Sequence, residues 1–107
     1  MKVSRHPSVQ TRDLPRIYAR IAQDNPAAAD RVLDAIEAAF ELLRMTPFAG
    51  PGYDMENDDF KGVHMYPVPR YPNSLVFYVP KDEEIRILYV MHGARDIPAR
   101  VAEDLRS

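Results

Sequence analysis

The sequence predicts an α+β fold, and three features carry that prediction. Two amphipathic helical segments sit close together in the N-terminal half, three strand-like segments follow, and a short strand-like stretch precedes both groups. Segregated helices and a strand meander favour an antiparallel helical hairpin packed on one face of a mostly antiparallel sheet. The expected order is β-α-α-β-β-β with a short C-terminal helix. At 107 residues the chain fits one domain spanning residues 1–107, because two cores of useful size need more sequence.

Each element has its own signal. Lys2 to His6 reads as a short strand, which Pro7 makes an edge or ends. Leu14, Ile17, Tyr18, Ile21 and Ala22 then fall at i, i+3, i+4, i+7 and i+8, on one helical face. Asp13 is placed to cap that helix, and Pro15 is tolerated in the first turn, where its missing N–H had no partner. Asp24-Asn25-Pro26 ends one helix and starts the next, with Asn25 as cap and Pro26 at the first helical position. In the second helix Ala29, Val32, Leu33, Ile36, Phe40 and Leu43 make a sustained apolar stripe, and Pro47 stops it. So short a link makes the two helices a hairpin.

Thr46 to Asp59 reads as loop, punctuated by Pro47, Gly50, Pro51 and Gly52 and made acidic by Asp54, Glu56, Asp58 and Asp59. Gly62 to Arg70 is strand-like but weakened by Pro67 and Pro69, as an edge strand would be. Leu75 to Val79 is a short run of β-formers suited to a central strand buried on both faces. Lys81 to Glu84 makes a polar turn, and Ile85 to Met91 alternates as a further strand. Beyond Gly93 and Pro98, Val101 and Leu105 allow one short helix.

Composition removes several function classes. No apolar run approaches the roughly 20 residues needed to cross a bilayer, and Met1 to Gln10 lacks the continuous apolar stretch of a signal peptide. With no cysteine, disulfides, thiolate metal sites and cysteine nucleophiles are excluded. His6, His64 and His92 lie far apart without metal-ligand spacing, and the acidic loop lacks EF-hand spacing, so neither a metal nor a cofactor is expected. The net charge is −2 and the pI about 5.9, whereas proteins that live on nucleic acid usually carry a basic excess.

Four residues fit phosphodiester chemistry by type. His64, Arg70, His92 and Arg95 flank the strands; histidine is the natural acid or base near neutral pH, and arginine suits a phosphate. Plainer roles stand beside these. His92 sits where the last strand enters a turn and suits a local hydrogen bond, and His64 on an edge strand suits a solvated side chain. Arg70 beside Tyr71 suits surface charge. Asp96 suits an ion pair with Arg95 or a cap on the terminal helix. Tyr18, Tyr66, Tyr78 and Tyr89 read as core or rim residues, with Tyr18 on the helical core face and Tyr78 in the central strand.

Particular words in this layout carry a resemblance. They are Asp13-Leu14, Asp24-Asn25-Pro26-Ala27-Ala28-Ala29, Pro47-Phe48-Ala49-Gly50, Val76-Phe77-Tyr78 and His92-Gly93-Ala94-Arg95-Asp96. In order and spacing the chain resembles the RelE/ParE toxin superfamily of type II toxin–antitoxin systems, closest to the ParE branch. The resemblance implies a bacterial cytoplasmic toxin neutralised by a small ParD-like antitoxin, with operator DNA reached only through that antitoxin. A homodimer and a toxin–antitoxin hetero-oligomer both stay open. The antitoxin is expected along apolar surface near the helical hairpin and the sheet edge.

The two branches act differently. RelE-like members cut mRNA on the ribosome, and ParE-like members inhibit DNA gyrase by binding. RelE-like nucleases resemble one another in lysines on the first strand after the helices, an arginine on the next, an arginine after the last and a Tyr or His near the C-terminus. Here that first strand holds Val63, His64, Met65 and Tyr66, the next has Ser74-Leu75, and residues 97–107 contain no Tyr or His; only Arg95 matches. The expected activity is therefore gyrase inhibition, with Arg70 and Arg95 as target-binding residues. The alternatives are a ribosome-dependent nuclease using His64, Arg70, His92 and Arg95, or a degenerate toxin that binds only its antitoxin.

Overall fold

The apolar stripe of the long helix decides where the sheet must lie. In the computed structural model, which describes residues 1–52 and 62–93, Val32, Ile36, Phe40 and Leu43 are all at most 3% exposed and pack onto one sheet face. The elements are β1 (Lys2–Arg5), a π-helical turn (Val9–Asp13) continuing into α1 (Leu14–Ala22), α2 (Pro26–Met45), β2 (His64–Val68), β3 (Tyr71–Lys81) and β4 (Glu84–His92). The sheet order is β1-β4-β3-β2; β1 runs parallel to β4 and the other pairs are antiparallel. The α+β class and the mostly antiparallel sheet are as expected. The terminal helix expected near Val101 and Leu105, the acidic residues Asp54 to Asp59, and Arg95 with Asp96 lie outside the described residues.

The second helix begins as its sequence dictates. Asn25 is extended, and its side chain accepts a hydrogen bond from the Ala28 N–H at 3.1 Å, with Pro26 in the first turn. The helix stops at Met45, where Thr46 leaves helical geometry two residues before Phe48. Arg5 ties β1 to this helix through an ion pair with Glu37, and its guanidinium lies 4.7 Å from the Phe40 ring centroid.

The first helix departs from expectation at its start. Asp13 is itself helical and makes no capping bond; a π-helical turn precedes it, closed by the Leu14 N–H bonding the Val9 carbonyl. The wider turn buries Val9 and Asp13 together. The Asp13 carboxylate accepts instead from the Val90 N–H of β4 at 3.1 Å, and from Arg12 Nε at 3.0 Å. Tyr18, expected on the core face, is 37% exposed, while Leu14 and Ile17 carry the burial of α1.

The strands are longer or shorter than their local signals. β2 is confined to His64–Val68 and forms an edge, where Pro67 is tolerated. β3 extends well beyond Leu75–Val79 in both directions, because Tyr71 and Lys81 close two-residue turns with Val68 and Glu84. In β4 the alternation expected from Ile85 to Met91 breaks. Phe77 pairs with Tyr89 but Tyr78 pairs with Ile87, so Leu88 is an extra residue, a β-bulge. The bulge sends Ile85, Ile87 and Val90 to the helical face and Tyr89 and Met91 to the other, where they cluster with Val63, Leu75 and Phe77. Past the bulge, His92 follows Val90 onto the helical side.

Candidate functional site

His64 opens β2 and is held by the segment that follows α2. Its Nδ1 lies 2.8 Å from the Gly50 carbonyl oxygen, which can only accept, so Nδ1 carries the proton in this contact. The ring sits between Phe48 (centroids 5.6 Å apart) and Tyr78 (5.5 Å). His64 is therefore half-buried and engaged, not the solvated side chain expected of an edge strand.

Tyr78 completes this clamp. Its hydroxyl accepts from the Gly50 N–H at 3.0 Å in a fully buried position. Burial pushes the phenol pKa above 10.0, the Gly50 hydrogen bond pulls it back in part, and Tyr66 adds to the rise. Gly50 has to be glycine here: an added Cβ would stand 2.5 Å from the Met65 carbonyl oxygen.

His92 ends β4 opposite Ser74 of β3, and its Nδ1 lies 2.8 Å from the Ser74 hydroxyl. The partner is thus across the sheet rather than in the following turn. Burial lowers the His92 pKa below 6.5, and the Arg20 guanidinium lowers it further. Between this strand end and α1 lies a groove of about 130 Å³, lined by Asp13, Arg16, Ile17, Arg20, Met91 and His92 among others.

Arg70 occupies the two-residue turn between β2 and β3, exposed, with φ of 72°. A left-handed backbone is unfavourable for a residue with a Cβ, and glycine is the usual occupant of such a position. Arg95 lies outside the described residues.

The sheet register separates the two histidines. His64 opposes Tyr78 while His92 opposes Ser74, with β3 between their strands. Four residues along β3 and two strand spacings put them on the order of 16 Å apart. Arg70 lies toward the His92 end of β3. Among the described residues no group of His and acidic side chains could hold a metal ion.

Four residues shape these sites in ways that sequence reading missed. Asp13 had the signature of a cap, which conceals a buried acceptor. Arg16 and Arg20 had a usable signal, since they stand four apart on a helix that contains no acid. Gly50 reads as loop punctuation and as part of a resemblance, with no sign of the close approach it allows.

The comparisons agree with this architecture. A family model described as the ParE toxin of the type II toxin–antitoxin system, parDE, matches residues 6–97. Among solved structures the chain is similar to one from the chromosomal ParDE toxin–antitoxin system of P. aeruginosa, with a TM-score of 0.69 and 21% identity. That match covers 88% of this chain and 97% of the other, and at such identity it speaks for the fold. No curated protein sequence matches.

Proposed function

The chain belongs to the ParE toxin family of type II toxin–antitoxin systems, and from that premise we propose that it inhibits DNA gyrase by binding and is neutralised by a cognate ParD-like antitoxin. The observation that carries binding over cleavage is the separation of His64 from His92. Metal-free RNA cleavage needs a base at the 2′-hydroxyl and an acid at the leaving oxygen of one phosphodiester, each within hydrogen-bond reach. Two histidines on the order of 16 Å apart do not serve one phosphodiester, and each already has a structural partner.

Arg70 and Arg95 are the target contacts in this reading. Support for Arg70 comes from its backbone: an arginine stands, exposed, where glycine is the easier residue, which fits a side chain used at the tip of the turn. Arg95 rests on the resemblance alone.

The antitoxin reading draws support from exposed apolar side chains. Leu42 is 38% exposed, Met45 75% and Phe48 71%, at the end of α2 beside the β2 edge, since Phe48 touches His64 of that strand. Large apolar groups left open at a helix end suit a partner chain that buries an apolar side chain against them.

The test is a supercoiling assay with purified gyrase and the wild-type, Arg70→Ala and Arg95→Ala proteins. Inhibition that weakens in both variants, and is relieved by the product of a small neighbouring gene, is the expected result. Unimpaired supercoiling at protein in excess over gyrase would sink the proposal.

A further inference from the structure

We propose that the groove between α1 and the C-terminal end of β4 is a carboxylate-binding site, in which Arg16, Arg20 and His92 receive an acidic segment of a protein partner. This inference stands apart from the gyrase reading and does not use Arg70 or Arg95.

The charge arrangement comes first. Arg12, Arg16 and Arg20 recur every four residues, which lines them along one side of the π-helical turn and α1. Arg12 is occupied, bonded to Asp13 at 3.0 Å and lying 5.3 Å from the Tyr89 ring centroid. Arg16 and Arg20 are exposed and enter no ion pair among the described residues. Like charges at that spacing repel each other along a helix, and α1 has no acid to offset them. The Asp13 carboxylate does border the groove, but Arg12 and the Val90 N–H already engage it. A local excess of positive charge therefore stands on a chain whose net charge is −2.

Shape and donors point to the class of ligand. About 130 Å³ of space lies between the arginines and the strand end, enough for one anionic side-chain head. Arginine presents a planar fork that fits a carboxylate by two parallel hydrogen bonds. Ser74, fully buried on β3, holds His92 by Nδ1, which leaves Nε2 as the ring atom for a ligand. Among the described residues, Asp13, Arg16 and Arg20 line the groove with His92 from the helical side, and Ser74 bonds its ring from the sheet. A carboxylate seated there counters the Arg20 charge that disfavours protonated His92, so binding should raise the His92 pKa. A nucleic-acid backbone is the poorer fit. It needs an extended basic track, and this groove offers two arginines on a chain with more acids than bases.

The test titrates the full chain with poly-L-glutamate while the His92 ring is followed by NMR across pH, with affinities measured by calorimetry. A single-stranded oligothymidylate of equal charge is run alongside. The expected result is a shift of the His92 resonances, a rise in its pKa, and affinity about fivefold or more weaker in R16Q/R20Q. Arg86→Gln, at the far end of β4, should bind as wild type does. Arg16 and Arg20 are exposed, so the variant should keep the wild-type melting curve; the His92 signal in wild-type protein reports independently of it. Unmoved His92 resonances would overturn the proposal. So would equal loss in Arg86→Gln, which means diffuse charge attraction, and so would tighter binding of the oligothymidylate, which means a nucleic-acid site.

Discussion

Gly50→Ala should unfold the clamp that joins the end of α2 to the sheet. The added methyl carbon meets backbone, with the Met65 carbonyl oxygen at 2.5 Å, its carbon at 2.9 Å and the Tyr78 hydroxyl at 3.0 Å. No rotamer change relieves a clash with a backbone carbonyl inside a paired strand, so the 46–52 segment must move away. Overpacking of this kind costs about 1–3 kcal/mol. Moving Gly50 also strains its N–H bond to Tyr78 and the His64 bond to its carbonyl, and each lost hydrogen bond adds about 0.5–1.5 kcal/mol. The sum is about 2–6 kcal/mol, or a fall in melting temperature of roughly 10–30 °C for a domain this size. Thermal unfolding followed by circular dichroism measures it. Gly52→Ala is the control, because a Cβ there meets nothing within 4 Å, and it should melt as wild type does. If the two variants melted alike, the contact between Gly50 and Met65 would not hold this segment, and the reasoning would fail.

Other expectations follow from the same geometry. Asp13→Ala leaves the buried Val90 N–H without its acceptor and should cost about 2–4 kcal/mol in denaturant unfolding; Asp13→Asn, which keeps an acceptor oxygen, should cost less. Arg70→Gly relieves the positive φ and should raise stability by a few tenths to about 1 kcal/mol while weakening gyrase inhibition. A loss in both readouts would show that Arg70 is merely structural. His92 has a native pKa below its ordinary 6.5, from burial first and Arg20 second. Its unfolded form therefore takes up a proton more readily, and the stability it contributes is full above pH 6.5 and declines as pH falls toward the native pKa. His92→Gln should flatten that part of the stability curve, and an unchanged slope between pH 7 and 5 would count against the assignment.

Local signals were legible where one element's own residues settle the outcome. The stripe from Ala29 to Leu43 specifies α2, and Asn25-Pro26 specifies its start, because cap and first turn are decided within four residues. Pro67 and Pro69, in and just after β2, foretold an edge. What stayed hidden depends on pairing between distant segments. The Leu88 bulge exists only in the register of β4 against β3, and it alone decides which face His92 reaches. His64 looked solvated because its partners, Phe48 and Gly50, arrive from another part of the chain. Asp13 shows the limit of a motif: the residue was singled out correctly, but its carboxylate crosses to β4 instead of turning back on its own helix. β3 ran past its apolar core because turn closure at Tyr71 and Lys81 outweighs the weak strand propensity of Pro72 and Asn73.

The most direct measurement sets gyrase supercoiling and translation-coupled mRNA cleavage side by side, with the wild-type protein and an H64Q/H92Q variant. Binding without chemistry predicts inhibited supercoiling and intact mRNA for the wild type, with the same inhibition by the variant wherever it remains folded. Cut mRNA with unaffected gyrase, abolished in the variant, would contradict it and make the two histidines catalytic despite their separation.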